Sequence, residues 1–468
     1  MLDSRQLTSE RLGIALLVLS YVVICCLSSL YVSQIFYMFR LAYDPARVFS
    51  AGVAVAAFAP VALLFAFARF SFGYFTGFYF LSMIVGYIWL SFFSGYTYDR
   101  QPALLSAAVS VVAFLLPALL ITSPIRQVGA MSLRTFDRLL MLIFLLCLVT
   151  AAIGASYNFQ FADVAEVSDL RTDAFPTILK YFITITSSSM LPFLFASFLA
   201  RRAPWRAGAV LILLLFYYPI VLSKVAFFAP VWLLLMVLSA RVFGAKLVVI
   251  LSLLIPATIG VILIFLRDRQ ILEYETAMVY FRIVNFRMMA IPSIAMDVYS
   301  DFFSKHELTY FCQIWVLKPV IGCPYQDPLS ILMFKNYPYG GHFNASLFAT
   351  EGVASVGFLF APLAAFAGGL MVALGNRLSA GLPPSFILVS AAILVQIMLN
   401  IPLSTVLLTH GAGFLFLLWY VTPREMFEQE REGVGASGNR LLRFMADAKL
   451  PPGRTRYAQF RARIPRWK

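Results

Sequence analysis

Charge is scarce in this chain. Only 12% of its 468 residues are Asp, Glu, Lys or Arg, against roughly a quarter in a soluble domain. That deficit leaves too little polar surface to clothe a soluble globule of this length. Histidine is rarer still, at three residues, and the five cysteines show no metal-ligand spacing. There is no phosphate-binding glycine-rich loop, no Asp-x-Asp pair and no large polar domain between the basic segments. These absences argue against an enzyme fed by a cytoplasmic nucleotide-activated donor. The first apolar run lacks a small-residue cleavage site and reads as a signal anchor. No internal repeat of the transporter kind is evident.

What the chain has in abundance is apolar sequence. It is 61% hydrophobic, with 45 Phe and a mean hydropathy of +0.85. A helix needs about 20 apolar residues to cross the hydrocarbon core. Runs of that kind predict spans at 12–33, 48–67, 72–94, 102–122, 139–156, 179–200, 207–222, 225–240, 247–266, 353–375, 384–400 and 404–421. The expected fold is therefore all-α, a polytopic transmembrane helical bundle of about twelve spans. The seventh and eighth runs are short and nearly fused, so one re-entrant hairpin is the alternative. The expected organisation is 1–266 with nine spans and a loop at 157–178, a subdomain at 267–351, three spans in 352–422, and a basic tail at 423–468.

Lys and Arg favour the cytoplasmic side of short loops. With the N-terminus inside, Arg69, then Arg126, Arg134 and Arg138, then Arg201, Arg202 and Arg206, then Arg241 and Lys246, then Arg377 all fall on that side. The formal net charge is +14, and 433–468 alone holds nine bases against one acid, Asp447. Such a tail suits retention beside anionic headgroups rather than nucleic-acid binding. Both termini are expected on the cytoplasmic side of the membrane.

The opposite side receives 157–178, with four acids around Arg171, and the segment 267–351. The latter holds seven Lys/Arg and eight Asp/Glu and far exceeds ordinary loop length. It reads as a folded external subdomain. Cys312 and Cys323 lie in it as a candidate disulfide, whereas Cys25, Cys26 and Cys147 sit in apolar runs. Lys224, Arg267, Arg269, Arg282 and Arg287 stand on this side against the general charge bias. Forked guanidinium donors and a lysine point charge suit phosphate or pyrophosphate; snorkelling or local pairing is the plainer reading, favoured for Arg267 and Arg269 around Asp268. His342 sits in a Gly-rich turn, Tyr339-Gly-Gly-His-Phe-Asn344, where it is able to move a proton. His306 follows Asp301 closely, and His410 reads as a buried packing histidine. Gln396, Asn400, Ser404, Thr405 and Thr409 interrupt apolar spans, as interhelical hydrogen bonders or as a cavity lining.

Four local patterns together resemble the bacterial oligosaccharide repeat-unit polymerases, the Wzy-type O-antigen polymerase family. They are Asp169-Leu-Arg171 ahead of Lys180-Tyr181 and Leu191-Pro192; Ser223-Lys224 on a tight turn; Arg287-Met-Met-Ala-Ile-Pro292 followed by Tyr299-Ser-Asp-Phe-Phe303; and Asn344-Ala-Ser-Leu-Phe348 followed by Glu351-Gly352 and Gly357. Order and loop position carry the likeness, which runs from 169 to 413; the first four spans and the tail add little.

The resemblance implies a membrane glycosyltransferase of GT-C type in a bacterial inner membrane, with 267–351 as a large periplasmic subdomain and the active site facing the periplasm. Its partners would be undecaprenyl-pyrophosphate-linked glycans as donor and acceptor, the lipid bilayer and a chain-length regulator. No cofactor, metal or nucleic acid is implied. An acceptor hydroxyl would attack the anomeric carbon and undecaprenyl pyrophosphate would leave. Preplaced cations best stabilise the leaving group, which nominates Arg171, Lys224, Arg282 and Arg287. The hydroxyl needs a base or an orienting acceptor, for which Glu351, His342 and Asp301 are the candidates. Tyr299 and Asn344 would bind sugar hydroxyls. A polysaccharide ligase and a flippase-type transporter are the competing expectations.

Overall fold

The computed structural model of the chain describes residues 4–128, 131–161, 175–314, 316–338, 343 and 346–427. Every regular element among these is helical. Ten helices are long and apolar enough to cross a membrane. They are α1 (Ser9–Ile35), α2 (Pro45–Phe67), α3 (Phe72–Ser91), α4 (Arg100–Leu120), α5 (Leu133–Tyr157), α6 (Thr177–Ala200), α7 (Pro204–Val221), α8 (Lys224–Val242) and α9 (Ala245–Asp268). After a further helical run, α10 (274–303), comes the tenth such helix, α11 (Phe348–Ser379). Three shorter apolar helices follow: α12 (Pro384–Met398), α13 (Leu403–Leu408) and α14 (Ala412–Val421). The chain is thus a multi-pass membrane protein. Residues 423–468 form a second unit, of which only the single turn Arg424–Phe427 and its flanking Pro423 are described; the basic tail lies outside the described residues.

Several helix starts are written locally. Asp44, Ser71, Asp99 and Ser132 each place a side-chain oxygen on a backbone N–H of the first turn of α2, α3, α4 and α5. Pro45 and Pro204 occupy first-turn positions that need no N–H donor. The α7–α8 pair comprises two full-length helices of 18 and 19 residues, rather than a short re-entrant hairpin. The turn between them passes through Leu222 in the left-handed region, φ 48°.

The centre of the bundle is α3, whose apolar window is wholly buried. It packs against α1, α4, α10 and α12. Its length is lined with Phe and Tyr, from Phe72 to Trp89. Alternate loops gather at opposite ends. At one end, the Gly95 amide donates to the Arg40 carbonyl at 2.7 Å and the Thr97 amide to Asp301 at 3.0 Å. At the other, Asn376 holds the Gly73 amide at 2.7 Å and the Ala118 carbonyl at 2.7 Å. The Arg377 carbonyl there accepts from the Ile125 amide.

The expected twelfth span, 404–421, is not continuous. It breaks into α13 and α14 around 409–411, with Gly411 at φ 77°. Only glycine adopts that conformation without steric penalty. The Ser188 and Ser189 hydroxyls, from a π-helical stretch in α6 (Thr186–Met190), donate to the His410 carbonyl at 3.1 and 2.7 Å. They satisfy a group that the break would leave bare in an apolar setting. The span beginning near 353 starts earlier than hydropathy suggests, at Phe348, through a π-helical Phe348–Val353, and kinks at Gly357.

Candidate functional site

Helix α10 organises the site. It is not among the ten spans, yet its second half, Ile291–Phe303, is buried along almost its whole length. Its middle, Arg282–Ala290, is π-helical. The anchor there is Asn285, fully buried, whose amide donates to Ser28 Oγ at 2.9 Å and to the Ala257 carbonyl at 3.0 Å. The approach depends on Gly260 in α9, since a Cβ there would sit 1.8 Å from Asn285 Oδ1. Phe286 stacks on Phe36 with ring centroids 3.7 Å apart. With one face of the turn fixed to α1 and α9, the other carries Arg282 and Arg287, both exposed. Hydrogen bonding from i to i+5 brings residues five apart close to one line. Neither guanidinium makes an ion pair or side-chain hydrogen bond among the described residues.

The C-terminal turns of α10 treat charge in the opposite way. Asp297 and Asp301, four apart, share one face and are buried. The Asp301 carboxylate accepts from Lys305 Nζ at 2.5 Å, the Tyr337 hydroxyl at 2.7 Å and the Thr97 amide at 3.0 Å. Burial pushes this carboxyl up, but those donors and the Lys305 charge outweigh it and hold it below its ordinary value. Asp297 accepts from the Tyr98 hydroxyl, which in turn meets Tyr87 at 3.1 Å. Burial dominates here and raises Asp297 to about 6, against the pull of hydroxyl donors and the Arg100 charge. His306 stacks on Phe302, centroids 4.0 Å apart, with Nδ1 2.8 Å from the Phe302 carbonyl oxygen.

Glu351 lies buried in the π-helical start of α11. Its two oxygens accept the Leu403 and Ser404 amides at 3.0 and 2.6 Å, so the carboxylate caps α13. Tyr299 is fully buried, its hydroxyl 3.4 Å from the Phe343 carbonyl, and it packs on Phe303 rather than facing a surface. Lys224 opens α8 and is half-buried. Arg267 pairs with Asp268 and lies over the Tyr274 ring. Cys312 and Cys323 are joined as a disulfide, Cα atoms 5.3 Å apart. Arg171, His342 and Asn344 lie outside the described residues.

Asp301 is thus joined to Thr97 and Tyr337, and Asp297 beside it to Tyr98, residues that sequence reading did not single out. Only the Asp297–Asp301 spacing, one helical turn, was a readable signal. Among the described residues no group of three or more His, Cys, Asp or Glu side chains gathers to hold a metal. No family model, curated protein or solved structure matches the chain.

Proposed function

We propose that the chain is a glycosyltransferase that polymerises undecaprenyl-pyrophosphate-linked oligosaccharide repeat units on the periplasmic face of a bacterial inner membrane. The observation that carries this reading is the Arg282–Arg287 pair. Two unpaired, exposed guanidiniums project from a turn whose opposite face is locked into the bundle. Rigidly mounted forked donors are what a pyrophosphate leaving group requires as its charge grows. The Cys312–Cys323 disulfide supports placing 304–338 on an oxidising side. The reading also keeps about twelve crossings, with α12 and the α13–α14 pair as the last two.

In this scheme the acceptor hydroxyl oxygen bonds to the anomeric carbon. The anomeric carbon–oxygen bond to pyrophosphate breaks, and undecaprenyl pyrophosphate departs with the electron pair. Arg282 and Arg287 hold the pyrophosphate, with Lys224 and Arg171 as further cations. The hydroxyl proton passes to His342, while Asn344 serves sugar hydroxyls; Asp301, Glu351 and Tyr299 are committed to fastening α10, capping α13 and core packing. Purified protein given a defined lipid-linked repeat unit should yield a ladder of lengthening chains. A single transfer to a different lipid acceptor would instead indicate a ligase. Release of unchanged lipid-linked glycan on the far side of a sealed vesicle would indicate transport. The helix breaks at Gly357 and Gly411 favour that last alternative.

A further inference from the structure

Beside the disulfide lies a cavity of about 500 Å³ that the roles above do not use, lined by Glu307, Leu308, Tyr310, Ile321, Gly322 and Pro324. Its walls are two short strips of chain, 307–310 and 321–324. The Cys312–Cys323 bond staples them together, and the Tyr325 hydroxyl donates to the Glu307 carbonyl at 2.7 Å. The first wall is also pinned to α11. The Thr309 and Tyr310 amides donate to the Ala354 and Ser355 carbonyls at 2.8 and 3.0 Å. Gln313 donates to the Thr350 carbonyl at 3.1 Å.

Tyr310 and Phe311 both have left-handed backbones, φ 48° and 65°. Bulky residues rarely adopt that conformation, and strain of this kind collects at binding sites. The Tyr310 ring stands 59% exposed in the lining of the cavity. Glu307 is exposed too, and its carboxylate joins no ion pair or hydrogen bond among the described residues. An aromatic face, an idle carboxylate and walls of mixed polarity make an open, amphipathic cleft of ligand-binding size.

We propose that this cavity is a glycan subsite that takes a neutral sugar unit, its C–H face on the Tyr310 ring and its hydroxyls donating to Glu307. A cationic amine is the other chemistry a carboxylate and a ring attract, but amine recognition relies on a cage of several rings. Among the described residues this cavity offers one. The subsite rests on the reading above for which glycan it meets, and the stapled walls deepen that reading by giving the incoming chain a fixed seat.

The test is direct binding. The probe is the lipid-free oligosaccharide released by mild acid from the producing cell's lipid-linked repeat units, titrated into full-length protein in detergent. Wild type should bind it saturably. Glu307→Gln and Tyr310→Ala should weaken it about tenfold, while Tyr310→Phe stays within about twofold. Glu307 is exposed, so its variant keeps the test decisive if Tyr310→Ala misfolds; Tyr310→Gly removes the ring while relaxing the backbone and should behave like Tyr310→Ala. Equal binding by all variants overturns the subsite, as does saturable binding of tetramethylammonium in place of the sugar. Variant-sensitive sugar binding without ladder formation upholds the subsite and removes the polymerase reading. A ladder with variant-insensitive sugar binding does the reverse.

Discussion

A single helical run, 274–303, handles charge in two opposite ways. In its last turns two carboxylates are buried and surrounded by hydroxyls, an amide and an ammonium. In its π-helical middle two guanidiniums are exposed and, among the described residues, given no acid. Asp301 engages both oxygens and Asp297 one, its Oδ2 having no hydrogen-bond partner among the described residues, and buried carboxylates so engaged act as fasteners. Here they tie α10 to the 92–99 loop and to Tyr337. Exposed charges on a rigid mount do nothing for the fold and are free to meet a ligand. The contrast divides the candidate residues into those expected to govern stability and those expected to govern chemistry.

The strongest way to break that division is the double variant Arg282→Ala/Arg287→Ala. It should lower the polymerisation rate by about 10²–10³-fold or more, on the scale of losing a preorganised transition-state donor. Its melting temperature in detergent should stay within about 2–4 °C, as for surface changes. A large melting shift, or full polymer length, would show that the arginines are fasteners after all. Asp301→Ala should behave inversely, losing about 3 kcal/mol by leaving Lys305, Tyr337 and the Thr97 amide without their acceptor. Thermal melting reads this, and unchanged stability would undo the fastener assignment.

Glu351→Gln sharpens the comparison within a span. One oxygen is kept for an α13 amide, so a loss of about 1–2 kcal/mol is expected, with chain length unaffected. Loss of all activity in a well-folded Glu351→Gln protein would move Glu351 to the chemical side and make it the base.

The smallest effect is a pH slope. Asp297 sits near 6, above its unfolded value, so the folded protein holds this proton more tightly than the unfolded chain. Stability from this group is therefore greatest below about pH 4 and is lost as pH rises through about 6. Between pH 5 and 7.5 the loss is about 1 kcal/mol. Asp297→Asn should flatten that slope in melting curves taken across the range; an unaltered slope would rule out Asp297 as its origin. Asp301 runs the other way. Its carboxyl is held low, so its contribution is present above the unfolded value and is lost as pH falls through the folded one.

Hydropathy located the spans because about 20 residues of apolar sequence have few other uses. The caps at Asp44, Ser71, Asp99 and Ser132 were equally local. What escaped was what two distant segments decide together. The break at 409–411 is stabilised by Ser188 and Ser189, over two hundred residues earlier, and no local pattern announces it. Asp297 was invisible as a site because its partner Tyr98 lies 199 positions away. Tyr299 and Glu351 sit in sequence beside plausible chemistry, yet one is packed in the core and the other caps α13. Arg282 and Arg287 were readable as charges against the bias. The π-turn that aligns them was not, because it follows from seating Asn285 against Gly260.

The divided end of the bundle also bears on how the chain is made. Helix α14 has 10 residues, about 15 Å of rise against a hydrocarbon core of about 30 Å. Helix α13 is shorter still, at 6 residues. Machinery that sorts nascent segments by apolar length has little reason to release either into lipid alone. Their partners, the hydroxyls of α6 and the carboxylate of α11, are translated first. The α13–α14 pair is therefore expected to seat by docking onto helices already in place, so the order of synthesis is itself part of what specifies this fold.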